Sequence, residues 1–144
     1  MNALNPGTEA LPNGIHEYLA QDRVIWGLPA AKAIIEECER RQASRVMIIA
    51  SKTLNRKTEA LELIRKALGK RHILTFDDCV EHTPRPSVIA AADAARDVKP
   101  DLVLTIGGGT AIDTGKVMQV AVAHGLTTPT QLDDYRLKAG PDGA

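Results

Sequence analysis

Three short apolar runs constrain the fold of this chain more than any other feature of its 144 residues. They are RVMIIAS, HILTF and DLVLTI, which begin at Arg45, His72 and Asp101. Strands with apolar residues at successive positions are typical of parallel sheets that are covered on both faces. Each run is followed by a segment that is expected to be helical. The alternation predicts an α/β fold, a Rossmann-like parallel sheet with helices on both faces.

The helices are expected at residues 29–42, 56–68, 87–98 and 110–124. The first of them is amphipathic, since its apolar residues between Ala31 and Cys38 lie on one face. Two shorter strand-like segments, residues 15–19 and 23–26, precede it. Residues 20–22 predict a hairpin turn between these two strands.

The sequence divides into three parts. Residues 1–14 contain two prolines and two glycines without any period, which predicts a flexible lead-in. Residues 15–124 are expected to form one α/β domain. Residues 125–144 are a polar tail, in which we expect no further strand or helix.

Composition and charge limit the classes of partner. The formal net charge is zero and 3% of the residues are aromatic, so nothing indicates a nucleic-acid or membrane surface. No apolar run approaches the ~18 residues that span a bilayer, and the N-terminus lacks the pattern of a signal peptide. Cys38 and Cys79 are far apart and form no paired motif. We therefore expect a reduced, cytoplasmic compartment.

The stretch TIGGGTAIDTGK, from Thr105 to Lys116, carries the strongest functional signal. A buried strand, a glycine turn and a helix N-terminus follow one another, which is an arrangement that binds phosphate groups. Ile112 stands where the dinucleotide fingerprint G-x-G-x-x-G requires its third glycine. Thr110 and Val117 interrupt the Walker A pattern. Neither of these common motifs describes the turn.

A turn without a ligand is the alternative interpretation of this stretch. Thr110 and Asp113 match a capping box, in which the two side chains bond free N–H groups at the helix start. Gly115 predicts close packing of the helix on the sheet, since glycine inside a helix costs about 1 kcal/mol relative to alanine. A cap does not need three glycines, however, and ligands in open parallel sheets bind beyond the carboxyl ends of the strands. Phosphate binding is therefore favoured.

The segment GGGTAIDTGK resembles the G-G-G-[ST]-x-x-D-x-x-K element of the iron-containing (group III) alcohol dehydrogenase superfamily. The resemblance extends over about residues 15–124. RVIWGLPAAKAI, SRVMIIAS and FDDCVEHTPRPSV are similar to the opening strand, the second strand and the segment before the alanine-rich helix of these enzymes. EHTPRP and GLPAA favour the maleylacetate reductase-like branch. The resemblance implies that this chain is the N-terminal nucleotide-binding part of such an enzyme.

The resemblance also implies the cofactor and the residues that contact it. These enzymes are NAD(P)-dependent, and their N-terminal domain binds the dinucleotide, NAD or NADP. Gly107, Gly108, Gly109 and Thr110 would bind the pyrophosphate, with Asp113 close by.

The end of the second strand would meet the adenosine ribose, and many relatives carry an acid there. This chain has Ser51 instead, followed by Lys52 and Thr53, so that Ser51 and Thr53 are the expected ribose contacts. Without the acid, repulsion of a 2′-phosphate is lost, and the choice between NAD and NADP stays open. Arg85 stands where many relatives have Asn, and it either reaches a phosphate or is solvated.

Other parts of the family pattern are missing from this sequence. Members continue into a further strand and a helical C-terminal domain, whose Asp and His residues hold Fe²⁺ or Zn²⁺. The four histidines here lack ligand spacing, and we expect His82 and Cys79 to be structural. The chain is therefore expected to be truncated and inactive alone. The full enzyme would act on a small alcohol, aldehyde or enone-type acid.

Two other functions stay open at this point. One is a stand-alone dinucleotide-binding module or pseudoenzyme. The other is a fragment of a dehydroquinate synthase-like lyase, since such lyases share the glycine-rich nucleotide site. An uncovered edge of the predicted sheet would also favour association into a homo-oligomer.

Overall fold

The computed structural model describes residues 14–16 and 22–135 of the chain. Its strands are β1 (Gly14–His16), β2 (Val24–Trp26), β3 (Val46–Ala50), β4 (His72–Phe76) and β5 (Leu102–Ile106). Its α-helices are α1 (Ala30–Arg40), α2 (Lys52–Lys57), α3 (Ala60–Leu68), α4 (Arg85–Val98) and α5 (Gly109–Ala123). None of the helices in these two ranges is long and apolar enough to cross a membrane.

The predicted parallel sheet is confirmed. Strands β3, β4 and β5 form a three-stranded sheet in the order β4-β3-β5, and both pairings are parallel. In the centre, all five residues of β3 are fully buried. This position explains why the run VMIIA is apolar at every residue, since a central strand must be apolar on both sides.

Helices cover both faces of the sheet, as predicted. Successive side chains of a strand point to opposite faces. Ile48 of β3 therefore belongs to a core cluster with Cys38 of α1 and Leu61 of α3. Its neighbour Met47 belongs to a second cluster with residues of α4 and α5, among them Met118.

The predicted helix at residues 56–68 is wrong in its bounds. Two helices occupy this region, and the first of them, α2, begins directly after β3. Ser51 caps it, because its Oγ accepts a hydrogen bond of 3.2 Å from the N–H of Leu54. Thr58 ends it with extended backbone angles of φ −135° and ψ 154°. Because Ser51 directly follows the apolar run of β3, the sequence alone predicts it as the end of the strand.

The predicted hairpin is present as the antiparallel pair β1–β2. β1 begins at Gly14, one residue before the predicted strand at residues 15–19. Residues 17–21, which include most of the predicted turn, lie outside the described residues, as do residues 1–13 of the predicted lead-in.

The segment after Gly125 contains a structured part. A 3-10 helix spans Pro129–Tyr135 and packs against α4. Leu126 and Leu132 are buried in the same core cluster as the α4 and α5 side chains. The expectation that no helix follows α5 is therefore wrong, because two leucines within a polar stretch are sufficient to attach it to the core. The three-part division of the chain stays a prediction.

Candidate functional site

The sheet topology places a crevice at the carboxyl ends of β3 and β5. These strands are neighbours, and Ala50 at the end of β3 pairs with Ile106 at the end of β5. From β3 the chain continues into α2 and α3, and α3 packs on one face of the sheet. From β5 the chain continues into α5 on the opposite face. In open α/β sheets, ligands bind at such a switch point.

The turn between β5 and α5 requires one of its three glycines for its backbone. Gly107 has φ +138°, a conformation that other residues rarely adopt. A Cβ at Gly108 or Gly109, in contrast, would meet no protein atom within 4 Å. The second and third glycines are therefore not needed for packing, and the backbone at these two residues faces open space.

No side chain caps α5, so the predicted capping box is wrong. The N-cap residue is Gly108, and it has no side chain to accept the free N–H groups. The helix begins at Gly109, one residue before the predicted start, which places Thr110 inside the first turn. The carbonyl of Thr110 accepts a hydrogen bond of 2.7 Å from the Thr114 hydroxyl. The N–H groups of the first turn are therefore left to bind water or a ligand.

A cavity of about 300 Å³ lies over this helix start. Five predicted site residues line it together with four others; the lining consists of Ser51, Lys52, Thr53, Cys79, Glu81, Gly108, Gly109, Thr110 and Ala111. The structure thus brings predicted pyrophosphate and ribose residues together in the lining of one cavity. Gly107 lies in the turn immediately before the lining residues.

The Asp113 side chain faces solvent. It is 60% exposed, and its Oδ1 lies 4.0 Å from Nζ of Lys116 one helical turn later. Asp113 is not among the cavity-lining residues. Its predicted contact with the cofactor stays a prediction.

Lys52 is the cation in the lining of the cavity. It forms an ion pair with Asp78, and both side chains are more than half exposed. The main chain of Asp78 is held in place from two sides. It forms an isolated antiparallel bridge with Ser51, and its carbonyl accepts a hydrogen bond of 3.0 Å from the Ser87 hydroxyl.

Sequence reasoning missed the position of Asp78. A signal was available, because the acidic pair Asp77-Asp78 follows directly after the HILTF run. The carboxyl ends of neighbouring parallel strands share one edge of a sheet, so residues after β4 lie near residues after β3. Glu81 in the cavity lining was missed as well.

Asp77 belongs to a separate polar network beside the cavity. Its Oδ2 accepts a hydrogen bond of 3.0 Å from Asn55 and one of 3.2 Å from Arg56. The hydrogen bond from Asn55 is the main reason that the pKa of Asp77 is lower than its ordinary value, and Arg56 adds to the effect. Neither Asp77 nor Arg56 lines the cavity.

Three other residues singled out in the sequence have identified surroundings. Burial raises the pKa of the Cys79 thiol, although a hydrogen bond with Thr114 opposes the shift, and the thiol is therefore protonated at neutral pH. His82 lies in a turn with φ +63°. Arg85 forms an ion pair with Asp133, with Nη1 at 3.0 Å from Oδ2, and does not line the cavity.

Within residues 14–16 and 22–135, no group of three His, Cys, Asp or Glu side chains is placed to hold a metal ion. These residues therefore do not fit the metal that the resemblance implies.

The sequence profile of the family described as iron-containing alcohol dehydrogenase matches residues 21–142. The chain belongs to this family. It is 32% identical over 111 residues to the dehydrogenase FUM7 of Gibberella moniliformis, a match that covers 76% of this chain and 26% of that protein. It is also 32% identical over 107 residues to maleylacetate reductase 2 of Cupriavidus pinatubonensis, covering 72% of this chain and 28% of the relative.

A solved structure supports the same assignment. The crystal structure of maleylacetate reductase from Agrobacterium tumefaciens matches with a TM-score of 0.57 and 26% identity. The match covers 65% of this chain and 26% of that one. This chain therefore corresponds to about a quarter of the length of these relatives. The predicted resemblance to the family and to maleylacetate reductases is confirmed.

Proposed function

We propose that this chain is the NAD(P)-binding part of an oxidoreductase of the iron-containing alcohol dehydrogenase family. The observation that carries the proposal is the uncapped, glycine-rich start of α5, which lines one cavity together with Ser51 and Thr53. The bound dinucleotide would supply hydride transfer to or from a substrate.

The N-terminus of α5 fits a pyrophosphate chemically. The N–H groups of its first turn have no side-chain partner, the residues of this turn line the cavity, and the helix dipole favours an anion there. Gly107 provides the turn, while Gly108 and Gly109 leave the backbone open to close approach. We assign the pyrophosphate to Gly107, Gly108, Gly109 and Thr110.

The part of the cavity lining at the end of β3 fits the adenosine ribose. Ser51 and Thr53 provide hydroxyl groups at the carboxyl end of β3, and the dinucleotide-binding folds place their ribose contact near such a strand end. The Ser51 Oγ already accepts the N–H of Leu54, so its hydroxyl proton is available for donation to a ribose oxygen.

The proposal extends to the activity of the whole protein. We propose a small alcohol, aldehyde or enone-type acid as substrate, and the relatives named maleylacetate reductase favour the acid. Fe²⁺ or Zn²⁺ would be held by residues outside this chain, and we propose that the chain alone does not turn over substrate. Cytoplasmic location and homo-oligomer formation also stay predictions.

Calorimetric titration with NAD⁺ and with NADP⁺ tests dinucleotide binding. Gly109→Val is the informative variant, because its side chain would enter the open space over the turn without contacting other protein atoms at Cβ. We expect the wild-type chain to bind a dinucleotide and the variant to lose at least about tenfold in affinity. Thermal unfolding of the variant is the control, and we expect it to match the wild type. The absence of heat with either dinucleotide would contradict the proposal.

A further inference from the structure

We propose that the Lys52–Asp78 ion pair sets the ratio of the affinities for NAD and NADP, with Asp78 acting as a competitor of the 2′-phosphate for the Lys52 ammonium group. The inference rests on the proposed function, because it concerns the ribose side of the same cavity. It assigns a role to Asp78, which does not itself line the cavity.

The position of Lys52 carries the first step of the argument. It is the first residue of α2 and lines the cavity between Ser51 and Thr53. In dinucleotide-binding folds, a carboxylate near the end of the corresponding strand binds the ribose hydroxyls of NAD, whereas a cation accommodates the 2′-phosphate of NADP. In this chain Ser51 follows β3, so the strand end supplies a cation and no carboxylate.

The carboxylate in this region comes instead from the neighbouring strand. Asp78 follows β4 and pairs with Lys52. Its main chain is fixed by the bridge to Ser51 and by the hydrogen bond from Ser87, a residue that is itself buried. The carboxylate is therefore kept beside Lys52 by the backbone of the β4–α4 connection.

The exposure of the pair makes an exchange of partners possible. The Lys52 side chain is 53% exposed and that of Asp78 is 59% exposed. Ion pairs in such surroundings contribute little to stability, so Lys52 can leave Asp78 for a phosphate at small cost. With Asp78 present, part of the attraction between Lys52 and the 2′-phosphate is lost to this competition. We infer that the wild-type chain binds NAD and NADP with affinities of the same order.

A neighbouring ion pair provides a matched control. Asp77 pairs with Arg56, with Oδ2 at 3.2 Å from Nε. Asp77 is the sequence neighbour of Asp78, and Arg56 lies one helical turn after Lys52. They do not line the cavity. Neutralising Asp77 therefore makes the same change in net charge without releasing the cation of the cavity.

The test is calorimetric titration of the wild type, Asp78→Asn, Lys52→Gln and Asp77→Asn with NAD⁺ and with NADP⁺. We expect Asp78→Asn to bind NADP⁺ about three- to fivefold more tightly, since the free energy of an exposed ion pair no longer has to be given up on binding. Lys52→Gln should bind NADP⁺ about tenfold less tightly, because the hydrogen bond from the ammonium group to the 2′-phosphate is lost. The affinity for NAD⁺ should stay within about twofold in both variants. Asp77→Asn should leave the ratio of the two affinities unchanged.

The outcomes separate this inference from the function on which it rests. If all four proteins bind both dinucleotides with the same ratio of affinities, the role of the ion pair is wrong and the proposed function stands. A shift in Asp77→Asn equal to that in Asp78→Asn would also overturn the role, because it would show a general effect of charge. If the wild type binds neither dinucleotide, the proposed function itself fails. Circular dichroism of each variant verifies that it is folded.

Discussion

Gly115 allows α5 to lie close to the sheet, because it has no Cβ. A Cβ at this residue would approach Oγ1 of Thr105 in β5 to 2.6 Å, which is too close for two non-bonded atoms. The same Cβ would lie 3.7 Å from Cδ1 of Ile49. The close contact expected from the glycine in the sequence is therefore present, and it fixes the height of α5 over β5 and thus the position of the glycine turn before it.

We expect Gly115→Ala to destabilise the chain despite the higher helix propensity of alanine. Crowding in a packed core costs about 1–3 kcal/mol, whereas the gain in propensity is about 1 kcal/mol. Urea unfolding should show a net loss in the free energy of unfolding. In a Thr105→Ala background the conflicting oxygen is absent, and the same substitution should be less harmful. An equal loss in both backgrounds would mean that the Thr105 contact is not the cause.

At the scale of the elements, a single carboxylate joins two connections that are far apart in sequence. Asp101 lies between α4 and β5, and it accepts hydrogen bonds of 2.8 Å from the N–H groups of Ser44 and Arg45 at the start of β3. The Ser44 hydroxyl donates a further hydrogen bond of 2.8 Å. These contacts fix the amino ends of β3 and β5, whose carboxyl ends form the crevice.

The Asp101 contacts make stability depend on pH. Hydrogen bonds from Ser44 and Arg45 hold the pKa of Asp101 below its ordinary value. The ionised Asp101 carboxylate therefore contributes fully to the free energy of unfolding above its pKa in the unfolded chain, about 4. This contribution is lost as the pH falls through the lower pKa of Asp101 in the folded state. Asp101→Asn should reduce stability at pH 7 and weaken the acid dependence of the urea midpoint. Asp97→Asn, at an exposed residue of α4, is the control and should change neither.

The sequence predicts the strands better than it predicts the helix starts. β3 is fully buried and therefore apolar at each residue, which is visible without a structure. The start of α2 was missed because Ser51 acts through its side chain as a cap. The predicted start of α5 is one residue too late, because the N-cap is Gly108, which has no side chain to indicate a cap. A side-chain contact decides the first of these boundaries, whereas no side-chain cap marks the second.

The candidate site was predictable only in part for a similar reason. Gly107 to Thr110 form a local motif and can be recognised from their spacing. The pairing of Lys52 with Asp78 depends on which strands are neighbours in the sheet, so the acidic pair after the HILTF run becomes informative only once the strand order is known.

At the scale of the whole molecule, β5 is an edge strand among the described residues. Two other cavities flank it on opposite faces of the sheet, one of about 830 Å³ beside α5 and one of about 310 Å³ beside α1. The first is much larger than the cavity at the glycine turn, and the second is of about the same size. An unpaired strand edge between two grooves suits a further strand or a second copy of the chain, which agrees with the proposed association.

The groove of about 830 Å³ beside α5 also competes with the glycine turn as a candidate ligand site, because the largest apolar cavity is the usual first choice. The groove beside α5 is lined by Met118 and Val122, far from any free helix start. It offers no arrangement of N–H donors comparable with that at Gly109. We therefore assign the dinucleotide to the smaller cavity, on chemistry rather than size.

The most direct test of this assignment is the titration of ¹⁵N-labelled chain with NAD⁺, followed by amide chemical shifts. We expect the largest shifts at Gly108, Gly109 and Thr110 and at residues 51–53, with little change at Met118 and Val122. Shifts confined to the groove along β5, with the amides of the glycine turn unmoved, would contradict it.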